Sequence, residues 1–150
     1  VYKRQGSVAR SISYLDEESD SISHENNFVE CLRFAFLAKK SKAAILDLTK
    51  WSEKLASISR DQQKDFLSYC SYLIREAMLI SYSSKSLGSF SSNTDFKIDK
   101  LSPFVHSSNL IEIISLIEDC HYSISRNVNS KIVFTNFAIT LTKLINKEEV

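Results

Sequence analysis

The sequence predicts an all-α protein, a helical bundle of about five main helices. Only 2 of the 150 residues are glycine and 1 is proline, whereas proteins built from sheets need turn residues at short intervals. Apolar residues also recur at spacings of three and four over long stretches, which is the period of an amphipathic helix. Hydrophobic residues make up 43% of the chain and charged residues 25%, a composition typical of a packed globular core.

The last third of the chain carries the clearest pattern. Two apolar-periodic runs, 110–128 and 131–145, meet at the polar stretch Asn127-Val128-Asn129-Ser130. Because so short a connection brings two helices nearly antiparallel, their stripes are predicted to face a common core. The predicted core residues are Leu110, Ile113, Ile114, Ile117, Cys120, His121 and Ile124 in the first run, and Val133, Phe137, Ala138, Leu141, Leu144 and Ile145 in the second.

The middle of the chain predicts further helices. One pattern extends from His24 to about Lys50 and includes Ile45 in its apolar stripe; the basic group at 39–42 predicts a kink or the exit of the helix from the core. Residues 51–56 are expected to form a separate short helix. A third pattern, lasting about five turns, begins at Ser59 in a capping-box arrangement with Gln62.

The remaining segments predict connections and a domain boundary. The serine-rich stretch 81–95 is expected to be a mobile loop, and 96–101 a helical turn before Pro103. The acidic stretch 16–21 is expected to be a linker. We therefore divide the chain into 1–21 and 22–150. Because Val1 is not an initiating methionine, the chain is expected to be a piece of a longer protein.

Composition narrows the class of function. The chain has 19 basic and 18 acidic residues, a net charge of +1, whereas domains that bind nucleic acid through its phosphates usually show a strong basic excess. The wide spacing of Cys31, Cys70 and Cys120 within apolar stripes favours reduced core thiols over disulfides or a zinc site. No apolar run reaches membrane-spanning length and no signal peptide is recognisable, so a cytoplasmic location is expected.

The chain shows no pattern typical of catalysis or cofactor binding. His24, His106 and His121 are far apart in the sequence and do not have the spacing typical of metal ligands. Cys120 and His121 are adjacent, so on a helix their side chains point about 100° apart and do not readily bind one metal ion. Phosphate-binding glycine loops and the Gly-x-Ser-x-Gly nucleophile motif are absent from the sequence. We therefore predict no catalytic residue, no cofactor and no metal ligand, and do not expect an enzyme.

Two sets of residues are candidates for contacts with other molecules. A candidate basic patch consists of Lys39, Lys40, Lys42, Lys50 and Lys54, although an ordinary solvated helix face is the favoured interpretation. Aromatic residues that fall off the main stripes are candidates for a subunit interface. They are Phe34, Tyr69, Tyr72 and Tyr122, and a wide edge of the core explains them equally well.

Two blocks of sequence resemble the C-terminal region of the delta-prime subunit of the bacterial DNA polymerase III clamp loader, in its Bacteroidetes-type form. The first block is 51–56 (WSEKLA) with 60–70 (RDQQKDFLSYC) and 73–76 (LIRE). The second is 104–106 (FVH) with 121–134 (HYSISRNVNSKIVF) and Ala138-Ile139. The likeness covers roughly residues 24–145, and 6–12 resemble the end of the small helical lid domain of AAA+ clamp-loader subunits.

The resemblance implies a role in assembly. In that family the C-terminal helical domain is the collar, which packs against the equivalent domains of the delta and gamma/tau type subunits to close a five-membered ring. The whole complex loads the sliding clamp on primed DNA during replication. The resemblance also implies that nucleotide-binding and zinc-bearing modules lie upstream, so that this chain needs no cofactor and meets DNA only through the full complex.

Two other classes of function stay open at this point. A nucleic-acid-binding helical domain would use the lysines of 39–54, and its binding of DNA would depend steeply on salt. A regulatory bundle would bind a small ligand in its core and would contain a large cavity with converging polar groups.

Overall fold

The structure is a computed structural model that describes the backbone of residues 2–82 and 97–148 and the side chains of residues 19–82 and 97–148. Within these ranges the chain is a helical bundle without β-strands. Its α-helices are α1 (Tyr2–Leu37), α2 (Ala43–Ala56), α3 (Arg60–Tyr82), α4 (Leu110–Ser125) and α5 (Ser130–Ile145). Two short 3-10 helices, Ile98–Lys100 and Ser102–Phe104, precede α4. The predicted all-α bundle is confirmed.

One aromatic cluster lies where α2, α3 and α5 meet. The Trp51 ring stacks on Phe137, with centroids 5.9 Å apart and planes 21° apart, and meets Phe134 edge-on at 6.1 Å. Phe66 of α3 lies within 6.3 Å of these three rings. Each such aromatic pair adds about 0.5–1.5 kcal/mol beyond the burial of its area. These four residues, called the aromatic junction below, fix three helices around one point.

The closing pair of helices is antiparallel, as predicted. The side-chain amide of Asn109, which precedes α4, donates to the Leu144 carbonyl near the end of α5 at 2.9 Å. All six core residues predicted for the second run are buried. In the first run three predicted residues are only half-buried (Leu110, Ile114 and His121), while Leu116 is buried although it was not predicted.

The polar stretch between α4 and α5 ends one helix and begins the next. Asn127 has a φ of 62°, in the left-handed region that asparagine tolerates better than most residues. The Val128 amide donates to Ser123 O at 3.1 Å and the Asn127 amide to Ile124 O at 3.2 Å, the two bonds of a Schellman motif. The Asn129 side chain then caps α5 by accepting from the Ile132 amide at 3.2 Å.

The region 24–56 differs from the prediction. The chain does not form one kinked helix to Lys50, because α1 ends at Leu37 and α2 begins at Ala43; residues 51–56 belong to α2 rather than to a separate helix. In the turn, Ser41 Oγ accepts from the Ala43 amide at 3.3 Å, and such local bonds compete with helix continuation. Because α2 folds back here, Ile45 lies outside the core and is 53% exposed.

The third helix begins where the sequence predicted. The Gln62 amide donates to Ser59 Oγ at 3.2 Å, which caps α3. The expected mobile loop 81–95 begins with two residues that are still helical, and from residue 83 onward it lies outside the described residues. The helical turn expected before Pro103 is present as the 3-10 helix Ile98–Lys100.

The acidic stretch 16–21 is helical and continuous with α1, where a linker was predicted. It contains neither glycine nor proline, and glutamate is a good helix former, so nothing in it ends the helix. The division into 1–21 and 22–150 stays a prediction. Among the described residues, no helix combines the length and the apolar character needed to cross a membrane.

Candidate interaction surface

The two blocks that carry the resemblance lie against each other. Arg60 of the first block donates from its guanidinium to Val128 O at 3.0 Å and to Ile124 O at 3.2 Å. These carbonyls belong to the carboxyl end of α4 and the turn after it, where a helix dipole favours a cation. Arg60 therefore joins the start of α3 to the α4–α5 turn.

Gln63 is a buried polar link between the same blocks. Its side-chain nitrogen donates to Leu55 O at 2.9 Å and to Ile58 O at 3.1 Å, at the end of α2. Its side-chain oxygen accepts from Ser130 Oγ at 2.9 Å, at the start of α5. Because this amide is only 1% exposed and its bonds go to helix ends, it positions helices and is not available for chemistry on a substrate.

Asn109 also positions helix ends, at the carboxyl end of α5. This fully buried residue donates to Phe104 O at 2.8 Å and to Leu144 O at 2.9 Å, and it accepts from the His106 amide at 3.0 Å. The His106 Nε2 lies 3.1 Å from Lys147 O. The Phe-Val-His segment of the second block therefore closes the carboxyl end of α5.

The four predicted interface aromatics differ in exposure. Phe34 of α1 and Tyr69 of α3 are half-buried and pack against the core. The Tyr69 hydroxyl donates to the Glu25 carboxylate at 3.1 Å, and burial together with that carboxylate raises the pKa of Tyr69. Tyr72 is 42% exposed beside Tyr69, and Tyr122 is 62% exposed on α4. Contact of any of the four with a partner stays a prediction.

The lysines of the predicted basic patch lie in two places, on α2 and in the turn that precedes it. All five lysines are exposed, but Lys54 is paired with Glu30 of α1 at 3.0 Å. Lys50 lies one turn before Lys54 and therefore shares its side of the helix. The other three, Lys39, Lys40 and Lys42, lie in or beside the turn between α1 and α2.

An apolar groove of about 510 Å³ runs between α2 and α5 and opens to solvent. Sequence reasoning did not find this surface. In the structure it is marked by two exposed isoleucines, Ile45 and Ile139, which are 53% and 45% exposed. We call it the α2–α5 groove. It is lined by Ala38, Lys39, Ile45, Leu48, Thr49, Ser52, Thr135, Ala138, Ile139, Thr142, Lys143 and Asn146.

Most polar groups in the walls of this groove are already hydrogen-bonded to the protein. The hydroxyls of Thr49, Ser52 and Thr142 donate to the carbonyls four residues earlier at 2.7 to 3.1 Å. The Asn146 amide donates to Ala35 O at 3.1 Å and to Thr142 O at 2.9 Å. The groove therefore presents mainly methyl and methylene groups, and it offers few donors for the specific recognition of a polar molecule.

Comparison of the chain with family models, with curated proteins and with solved structures found no match. Its function has to be inferred from its own residues, its surfaces and the resemblance of its two sequence blocks.

A second groove, of about 430 Å³, lies between α3 and α4 and is more polar. Arg75, Glu118 and His121 line it together with three serines, and Tyr122 forms part of its wall. The Arg126 guanidinium lies 5.5 Å from the centre of the Tyr122 ring, a cation–π arrangement. Basic and acidic side chains are mixed in this groove, so it favours neither an anion nor a cation.

The cysteines lie in the core and are unreactive. Cys31, Cys70 and Cys120 are buried and carry no disulfide. Burial raises the pKa of each thiol, that of Cys120 to about 12, so the nucleophilic thiolate is scarce. Within the part of the chain whose side chains are described, no group of three or more His, Cys, Asp or Glu residues is arranged to hold a metal ion.

Proposed function

We propose that this chain is a subunit-assembly module, the collar domain of a bacterial clamp loader. We further propose that the α2–α5 groove is a surface through which it binds the helical C-terminal domain of another subunit of the delta or gamma/tau type. Two features support the proposal: the resemblance of the two sequence blocks, and an open apolar groove between two packed helices. The proposal implies a cytoplasmic location, since the clamp loader acts in replication.

The observation that carries the proposal is the exposure of Ile45 and Ile139 across the groove from each other. Apolar surface gains free energy when it leaves water, about 25 cal/mol per Å². The core of a protein interface is accordingly apolar, with a polar rim. Ile45 and Ile139 supply such a core, and the lysines and threonines around them supply the rim.

A small-ligand function is favoured less by the same groove. The groove has the volume of a ligand site, since such pockets span about 300–1,000 Å³. However, a specific small-molecule site needs a few converging polar groups, and here most of the hydroxyls and the Asn146 amide are bonded to backbone carbonyls. An apolar protein surface is the better-matched occupant.

The proposal is tested by the mass of the chain in solution. Light scattering on the chain alone, and mixed with the C-terminal domains of the delta and gamma/tau type subunits, is expected to show a hetero-oligomer only in the mixture. Ile139→Ser is expected to weaken assembly about tenfold or more, because it removes an anchor from the groove.

The matched control is Ile111→Ser, which changes a 78% exposed isoleucine on α4 outside the groove. It is expected to assemble normally, and circular dichroism should show that both variants keep their helices. The proposal is contradicted if the chain does not bind these domains at micromolar concentration. Tight binding of DNA with a steep salt dependence would favour the nucleic-acid alternative instead.

A further inference from the structure

The α2–α5 groove is basic at one end. Lys39 and Lys143 are among its lining residues, and no acidic residue lines it. Lys40 and Lys42 are exposed in the turn beside that end. Among the described residues, none of these four lysines takes part in an ion pair.

The far end of α5 is electrically neutral by comparison. There Lys131, in the first turn of α5, is paired with Glu53 of α2 at 3.1 Å. The nearest lining residues, Ser52 and Thr135, are uncharged. The surface therefore changes from basic to neutral along the axis of the groove, so an occupant with an uneven charge would bind in one direction.

The lining residues form helical ridges along both walls of the groove, against which a third helix can pack. On α5 they follow the pattern i, i+3, i+4, i+7, i+8 and i+11 from Thr135 to Asn146, and on α2 the pattern i, i+3, i+4 and i+7 from Ile45 to Ser52. Rows with these spacings are the ridges that interdigitate when helices pack. The α5 row is roughly 16 Å long, about three helical turns.

We propose that the α2–α5 groove binds an amphipathic α-helix of a partner subunit, whose apolar stripe fills the groove and whose acidic side chains lie at the Lys39–Lys143 end. This inference rests on the proposed function, which supplies the partner. Apolar burial provides most of the affinity. Exposed ion pairs add little affinity, but complementary charge speeds association and fixes the register of the two helices.

Two synthetic helical peptides test this charge preference on the intact chain. Both are about four turns long with the same leucine stripe; one carries glutamates beside one end of the stripe and the other carries lysines there. Fluorescence anisotropy of the labelled peptides gives their dissociation constants. The acidic peptide is expected to bind about three- to tenfold more tightly at low salt, with a smaller difference at high salt because salt screens exposed charges.

Matched variants assign the preference to this groove. Lys39→Glu combined with Lys143→Glu is expected to abolish the preference, because the two glutamates offset the remaining charges of Lys40 and Lys42. The control, Lys50→Glu combined with Lys100→Glu, makes the same change in net charge at exposed lysines outside the groove and should preserve the preference. Ile139→Ser is expected to weaken the binding of both peptides to the same extent, because it removes an apolar contact and changes no charge.

The outcomes separate this inference from the proposed function. Equal binding of the two peptides, or binding of neither, overturns the inference, whatever the clamp-loader domains do. A preference for the acidic peptide that the Lys39/Lys143 variant abolishes supports the inference, even if those domains fail to assemble; that failure would overturn only the proposed partner. A short DNA duplex that binds more tightly than the acidic peptide, and loses binding in the same variant, overturns the inference in favour of nucleic acid.

Discussion

Helices α2 and α5 each have two faces that serve different purposes. On the inner face, Trp51, Phe134 and Phe137 are at most 1% exposed and belong to the aromatic junction. On the outer face, Ile45 and Ile139 line the α2–α5 groove and are about half exposed. Both faces are apolar, so hydrophobicity alone does not distinguish them. The difference lies in coverage: the rest of the bundle, including Asn27 of α1 and Phe66 of α3, covers the inner face, and no described part of the chain covers the groove.

The strongest way to break this comparison is to truncate one residue on each face. Trp51→Ala is expected to lower the free energy of unfolding by about 3–5 kcal/mol, because it leaves a large cavity. It also removes the indole N–H that donates to Asn27 O at 2.9 Å, which ties α2 to α1. Ile45→Ala is expected to cost less than about 1 kcal/mol, since this side chain is half in water. Urea unfolding followed by circular dichroism measures both.

An equal decrease in the free energy of unfolding in the two variants would mean that the groove face is part of the folding core and is not a surface for binding partners. A loss in Trp51→Ala accompanied by a smaller denaturant slope would indicate a change in the compactness of one of the two states, and would then not measure the junction alone.

Polar groups in the core of the bundle and in the α2–α5 groove differ in the same way. Gln63→Leu is expected to cost about 1–3 kcal/mol, because buried partners, the Leu55 carbonyl and the Ser130 hydroxyl, lose their hydrogen bonds. Thr49→Val in the groove removes an exposed hydroxyl whose acceptor, Ile45 O, lies within α2; it is expected to change stability by less than about 0.5 kcal/mol. Thermal unfolding of the two variants compares them, and a Gln63→Leu variant as stable as the unchanged chain would contradict the linking role of that amide.

The sequence predicted the inner faces well because burial has a periodic signature. The stripe of α5 was complete apart from Phe134, and the Ser59 cap and the α4–α5 turn were visible as local motifs. The prediction from the sequence failed at the break after Leu37, because the packing of the helices against one another decides whether the chain continues as one helix or turns back. It also missed the groove, because Ile45 reads as a core residue whether or not a helix covers it.

The prediction of contact residues from the sequence is limited in the same way. Off-stripe position selected Tyr72 and Tyr122, which are exposed, but it also selected Phe34 and Tyr69, which pack against the core. A stripe on a helical wheel has no fixed width, and only the neighbouring helices decide where burial ends. Lys39 was found as a charge, whereas its place at the end of an apolar groove depends on how α2 folds back.

The smallest expected effect is the dependence of the free energy of unfolding on pH, which arises on the side of the aromatic junction. The ring of His24, on α1, lies 6.1 Å from Phe66 of the aromatic junction, and its Nδ1 has no hydrogen-bond partner among the described residues. Desolvation lowers the pKa of His24 below its usual value of about 6.5, and the nearby Asp20 and Asp65 offset this only in part. As the pH falls below about 6.5, the unfolded chain therefore takes up a proton that the folded chain binds less readily, and the free energy of unfolding decreases.

The slope from one such histidine cannot exceed about 1.4 kcal/mol per pH unit. His24→Phe, which keeps a ring against Phe66, is expected to remove this part of the acid sensitivity between pH 6.5 and 5.5, about one pH unit. An identical slope in His24→Phe and the unchanged chain would mean that His24 titrates normally in the fold. The junction side would then be wetter than its burial indicates, and its contrast with the solvent-exposed groove would lose its basis in desolvation.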